Sequence, residues 1–319
     1  MKKIALTVII LIFLLPVISQ ANTPYQFLRL NSSARAAGLA GCFVSMTDDG
    51  SALFYNPATI STVKDKKFTA TFLKHVLDIN SGQVSYISKF EDSGPKSIFE
   101  KGVFAASVSY LNYGSFDRAD GFGNRQGDFG ASDLGIAASY SNILDTNLYY
   151  GVTLGFIYNY IEELSSTAFA VDAGIIYLMP DIQTNIGASI LHAGGQLSSY
   201  GAEGESLPLD VRIGINHRLK GLPLLVNFSL HHLADNTDGF FDRFKNFALA
   251  GELYLGNYIR LRLGYDNQIR QLLTIDNDRK LSGFTGGVGI KANTFNLDYG
   301  ISVMGSSAYL HRFSLSFEL

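Results

Sequence analysis

The chain has 319 residues and a formal net charge of −3, so it presents no basic surface for nucleic acid or another polyanion. It holds 32 glycines, only 7 prolines, 17 tyrosines, 23 phenylalanines and no tryptophan, and 17% of its residues are charged. Such a composition suits many short strands joined by tight turns and excludes a helical enzyme domain or a disordered chain.

Residues 1–21 read as a secretory signal peptide. Lys2 and Lys3 supply the positive start, Ile4 to Ile18 is nearly all apolar, and Ser19-Gln20-Ala21 offers the small residues of a cleavage site. Cleavage there leaves a chain that starts at Asn22. Beyond it no apolar run reaches the roughly 18 residues a membrane helix needs. Cys42 is the only cysteine, which excludes an intramolecular disulfide framework. Leu39-Ala40-Gly41-Cys42 matches the spelling that precedes a lipidated cysteine. However, Arg29, Asn31 and Arg35 interrupt the apolar segment that lipidation requires, so Cys42 reads as a small, partly buried residue.

Residues 22–66 show no strand alternation and are rich in small and turn residues. The segment is too long for a lead-in and is expected inside the lumen of a barrel, as a plug. Within it Asp48-Asp49 are expected to form a turn and cap a short helix at 51–54, because Asx side chains satisfy free backbone N–H groups at helix starts. Asn56-Pro57-Ala58 follows.

From residue 67 to 319 the pattern has period two. Ile259, Leu261, Leu263 and Tyr265 interleave with Arg260, Arg262, Gly264 and Asp266, as expected of strands with one apolar and one polar face. The reading places strands at 67–77, 83–90, 102–113, 131–142, 147–160, 165–179, 182–192, 208–219, 222–232, 245–255, 258–267, 281–292, 294–303 and 308–319. They are about ten residues long, carry aromatics near their ends and total fourteen, an even number, as single-chain bacterial barrels require. The fold expected is an all-β, 14-stranded antiparallel transmembrane barrel with a short N-terminal plug. Connection lengths agree: most even-numbered ones are tiny, whereas 114–130, 193–207, 233–244 and 268–280 are long and should face outside; 91–101 is longer than an inside turn should be. The last strand puts Tyr309, His311, Phe313, Leu315, Phe317 and Leu319 on one face.

Asp133, Asp172, Arg212, Glu252, Arg260, Arg262, Asp298 and Arg312 fall on the polar, inward faces. Buried charges need partners, and Arg35 is the plug residue expected to meet a lumen carboxylate, either as a gate or as an ion pair that keeps the plug seated.

Tyr25-Gln26-Phe27-Leu28-Arg29-Leu30, then Ser33-Ala34-Arg35-Ala36-Ala37-Gly38-Leu39-Ala40-Gly41, Val44-Ser45, Asp48-Asp49 and Phe54-Tyr55-Asn56-Pro57-Ala58 together resemble the opening of the PorV/PorQ family, closer to PorQ. Those proteins are outer-membrane components of the type IX secretion system. The family is similar in fold to the fatty-acid transporter FadL, with an N-terminal hatch bearing an Asn-Pro-Ala element. The resemblance implies an outer-membrane location and a non-enzymatic role in anchoring or shuttling surface-exposed secretion partners. It implies membrane lipid and the surface attachment complex as partners. The alternative is a FadL-like transporter of hydrophobic small molecules, which needs an apolar lumen pocket and a lateral opening.

Enzyme chemistry finds little support. The six histidines stand in no metal-ligand spacing, and His231-His232 should point to opposite faces of a strand. There is no Gly-x-Ser-x-Gly elbow, and Gly121-Phe122-Gly123 reads as a surface loop rather than a nucleotide-binding turn. Asp235-Asn236-Asp238 and Asp276-Asn277-Asp278 read as solvated loops, since neither completes a calcium loop. No cofactor and no metal are therefore expected. Phe122, Phe240 and Phe241 lie on long outer connections, where exposed aromatics serve as partner-binding anchors or as an interfacial girdle.

Overall fold

The computed structural model describes residues 23–30, 33–75, 77–89, 102–201, 204–237, 239–273, 281–305 and 308–319. The signal segment 1–21, the connection 91–101, Asp238 and the cluster Asp276-Asn277-Asp278 lie outside the described residues.

Fourteen strands form one closed antiparallel barrel. In chain order they are β1 (Lys67–Lys74), β2 (Asn80–Lys89), β3 (Val103–Ala119), β4 (Arg125–Asp145), β5 (Leu148–Ile161), β6 (Leu164–Met179) and β7 (Thr184–Ser198). The second half runs β8 (Asp210–Arg218), β9 (Leu224–Leu230), β10 (Phe247–Leu255), β11 (Ile259–Asp266), β12 (Phe284–Lys291), β13 (Phe295–Val303) and β14 (Tyr309–Glu318). Each pairs with the next, and β14 closes on β1 from Lys67↔Glu318 to Lys74↔His311. Closure satisfies every ladder, which is what a strand structure in hydrocarbon demands.

Polarity is inverted relative to a protein in water. On β11 Leu263 is 75% exposed while Arg262 is 4% exposed, and on β14 Phe313 faces out while Arg312 and Ser314 are buried. Apolar side chains outside and polar ones inside exclude a water-soluble sandwich and fit a wall against lipid.

The wall is taller than expected on one side. The expected outer loop 114–130 is mostly strand: β3 and β4 continue as a hairpin, with register shifts after Asn112 and Asp117. Asp120 closes its tip by accepting from the N–H groups of Phe122 and Asn124, both at 2.9 Å, and Phe116 stacks on Phe129 with centroids 5.3 Å apart. The expected loop 193–207 is likewise shortened, because β7 continues to Ser198. At His192, φ is 60°, its N–H donates to Asp172 Oδ1 at 2.7 Å, and beyond it β7 pairs with β6 but no longer with β8. The segment expected as loop 268–280 begins with a helical turn, Asn267–Leu272, capped by Asp266. From β8 onward the wall stays low.

Candidate functional site

The lumen holds residues 23–30 and 33–66. Their first 3-10 turn, Pro24–Arg29, lies in the long-loop half of the barrel. There Tyr25 Oη bonds Ser166 Oγ at 2.6 Å, and Arg29 donates to both carboxylate oxygens of Asp235, at 2.6 and 3.1 Å, and to Leu209 O at 2.9 Å. The helix α1 (Ala34–Gly38) follows, capped by Ser33 Oγ, which accepts from Ala36 N–H at 3.1 Å. Its small residues Ala34, Ala36, Ala37 and Gly38 are buried against the wall, where any larger side chain would hold the helix off.

Arg35 leaves α1 on the other side and enters an ion-pair cluster. Its Nε and Nη2 donate to Glu252 Oε1 and Oε2 at 3.0 and 2.7 Å, and its Nη1 donates to Asp49 Oδ2 at 3.0 Å. Arg262 donates from Nε to Glu252 Oε1 at 2.8 Å and from Nη1 to Asp298 Oδ1 at 2.6 Å, while Tyr254 Oη donates to Glu252 Oε2 at 2.9 Å. Asp49 also accepts from Ser51 N–H and Oγ at 2.9 and 2.6 Å, making the turn that starts the 3-10 segment Ala52–Phe54, found where a short helix was expected. Burial works to raise the Asp49 carboxyl, but the Arg35 guanidinium and the Ser51 bonds outweigh it and hold the group below the ordinary range. Asp48 has a different partner, Lys67 at the start of β1, with Nζ–Oδ1 2.9 Å.

Asn56 is fully satisfied. Its Nδ2 donates to Val44 O and, across to β6, to Ile175 O, each at 2.9 Å, while its Oδ1 accepts from Ala58 N–H at 3.0 Å and caps the 3-10 turn Pro57–Thr62. Around this turn the wall makes room with glycine: a methyl on Gly174 would overlap Asn56 Oδ1, and one on Gly151 would overlap the Pro57 carbonyl. The structure thus gathers Arg35 with Asp49, whereas Asn56, Pro57 and Ala58 stand apart, against β5 and β6.

Bonds between plug and wall reach all seven even-numbered strands. They join Gly50 O to Ser85 on β2, Ala58 O to Ser141 on β4, Asn56 to Ile175 on β6, Ser45 O to Asn216 on β8, Arg35 to Glu252 on β10, Gly38 O to Thr285 on β12 and Ala34 N–H to Ser314 on β14. Cys42 is buried within the plug, and burial pushes its thiol up to about 12.

Two cavities flank this plug and share no lining residue. One, of about 480 Å³, opens at the short-turn end and is walled by charged groups including Arg35, Asp49, Glu252 and Arg262. The other, of about 70 Å³, lies between the plug residues Phe27, Leu28, Leu30, Leu53 and Phe54 and the inner face of β2 to β7; its wall is mostly apolar but includes Asp172 and His192.

No protein-family sequence model matches the chain, and no curated protein sequence does. Solved structures do match in fold. A mutant of the TodX monoaromatic hydrocarbon channel aligns with a TM-score of 0.60 at 12% identity, over 90% of this chain and 99% of that one. The CymD monoaromatic hydrocarbon channel gives 0.56 at 11%, over 93% and 99%, and a Pseudomonas aeruginosa FadL homologue gives 0.51 at 12%, over 91% and 98%. The fold is that of FadL-type outer-membrane barrels.

The aromatic loop residues do not form one surface. Phe122 is 93% exposed at the tip of the β3–β4 hairpin. Phe240 and Phe241 stand with Phe244 on the 3-10 turn Phe240–Lys245 between β9 and β10, with ring centroids 5.4 to 6.5 Å apart. The strand order puts the two groups on nearly opposite sides of the rim. His231 and His232 also depart from expectation: β9 ends at Leu230, His232 has φ 51°, and the two rings meet with centroids 4.8 Å apart. They nevertheless make no metal site, since no group of three or more potential ligands is arranged for one among the described residues. Sequence reasoning missed Lys67, Asp210 and Arg29. Inward parity with Arg212 was the available signal for Asp210, which takes Arg212 at 2.6 Å.

Proposed function

We propose that this chain is a non-enzymatic outer-membrane barrel that anchors or shuttles surface-exposed partners of the type IX secretion system. The observation that carries the reading is the plug that divides the lumen. The mostly apolar cavity of about 70 Å³ is separated by the plug from the charged one, and it is smaller than an engineered cavity of roughly 150 Å³ that takes benzene. A plug that divides the described cavities in this way suits an anchor better than a conduit. The plug motif from Tyr25 to Ala58, with its resemblance to the PorV/PorQ opening, supports the same reading.

A second reading, passage of hydrophobic small molecules, is favoured by the fold neighbours, two of which are monoaromatic hydrocarbon channels. It requires the plug turn at Phe27–Leu30 to move and enlarge the apolar cavity. Gene deletion in the native host separates the two. The anchor reading expects surface proteins to stay unprocessed or to reach the medium unattached, with uptake of hydrophobic compounds unchanged. Intact surface-protein processing with impaired uptake would replace it by the channel reading.

A further inference from the structure

The charged cavity at the short-turn end carries more cations than its own carboxylates use. Asp48 and Glu318 are taken by Lys67, Asp49 by Arg35, Glu252 by Arg35 and Arg262, and Asp298 by Arg262. Arg218, Arg260 and Lys291 line the same cavity at the inward positions of β8, β11 and β12 nearest the short-turn end. Among the described residues no carboxylate lies within 4 Å of any of the three.

The two arginines are held in a defined geometry. Arg218 and Arg260 flank the Tyr254 ring from the β8 side and the β11 side, their Cζ atoms 4.2 and 4.4 Å from its centroid. Tyr254 is itself fixed by its hydroxyl on Glu252. Arg260 is tied further by bonds to the carbonyls of the β10–β11 turn, Gly256, Asn257 and Ile259, at 3.0 to 3.2 Å. Among the described residues Arg218 makes no side-chain hydrogen bond, so its edge is free as the fork that binds an oxyanion bidentately, while Arg260, its Nη groups held by those carbonyls, keeps its Nε–H as a further charged donor. Two like charges on one ring also repel, and an anion between them relieves the repulsion.

We propose that this cavity is a binding site for a carboxylate-bearing ligand that enters from the short-turn end, with Arg218 and Arg260 as the clamp and Lys291 as the third cation. A carboxylate suits these donors because its two coplanar oxygens match the planar fork of a guanidinium. The cavity, at about 480 Å³, holds a small polycarboxylic acid or a few acidic residues of a polypeptide. The side chains that bind are the same for both sources.

The test uses the full-length barrel in detergent at low salt, titrated calorimetrically with citrate and, separately, with a hexaglutamate peptide. At least one probe should bind, and R218Q and R260Q should each weaken binding about tenfold or more, the loss of one charge-assisted contact. Heat-modifiable gel migration of each variant checks that the barrel remains folded. Binding of citrate together with the peptide supports a free small acid as ligand. Binding of the peptide alone supports an acidic polypeptide segment. If neither probe binds at millimolar concentration, or if binding persists unchanged in folded R218Q and R260Q, the proposal is overturned.

Discussion

Replacing Arg35 by methionine should unseat the plug while leaving the barrel closed. The substitution keeps most of the aliphatic stem and removes three charge-assisted bonds, two to Glu252 and one to Asp49. The Glu252 side chain is fully buried and would keep only Arg262 and Tyr254. Removing one partner of a buried pair costs about 3–5 kcal/mol, chiefly through the charge left behind. The strand ladders do not involve Arg35, so the loss falls on the local opening of the plug. Amides of residues 33–63 should then exchange about a hundredfold faster or more, with those of β10 to β14 unchanged. Hydrogen exchange read by mass spectrometry on the detergent-solubilised protein measures this. R35M/E252L should recover part of the loss, because the orphaned carboxylate is gone. Acidification should act in the same direction. Asp49 is held below its ordinary value, so its contribution is present above the unfolded carboxyl value of about 4 and disappears as pH falls through the lower folded value. Wild-type exchange of plug amides in R35M would refute the idea that this cluster seats the plug.

Topology and closure give two further expectations. Cysteine placed at Ser199 should be labelled by an impermeant reagent on intact cells and cysteine at Lys220 should not, with little background because Cys42 is buried and its thiol protonated; the opposite pattern would invert the barrel. Deleting residues 317–319 removes the Phe317↔Phe68 and Phe317↔Phe295 pairs and the Leu319 N–H bond to Lys66 O, exposing ladder groups at several kcal/mol each in lipid. The truncated chain should fail to show heat-modifiable migration, and normal migration would contradict the argument.

The strands were legible because lipid and lumen impose opposite demands on successive residues, as Leu261-Arg262-Leu263 shows. That signal stops where the lipid stops. Above the membrane, both faces of the β3–β4 hairpin meet water, so Asp117, Arg118, Arg125 and Asp128 alternate with nothing apolar and the segment 114–130 read as loop. The end of β9 was hidden for another reason: His232 adopts a positive φ that its neighbours do not announce, and the two histidine rings turn toward each other. At the plug, an arginine among small residues could be read as needing a carboxylate. Which carboxylate could not, since Glu252 faces Arg35 only through the register of β10 and the path of the chain from α1. The glycines at 151 and 174 carried no message of their own, because their meaning lies in the Pro57 backbone and the Asn56 side chain, which approach from far along the chain.

The plug's bonds to alternate staves of the wall also constrain the order of assembly. A segment that sets the Pro57 carbonyl over Gly151 on β5 and the Asn56 side chain over Gly174 on β6, while gripping strands on every side, resists threading into a finished cylinder. It fits a wall that closes around its filling, residues 23–30 and 33–66 serving as a mandrel matched to the bore of the staves.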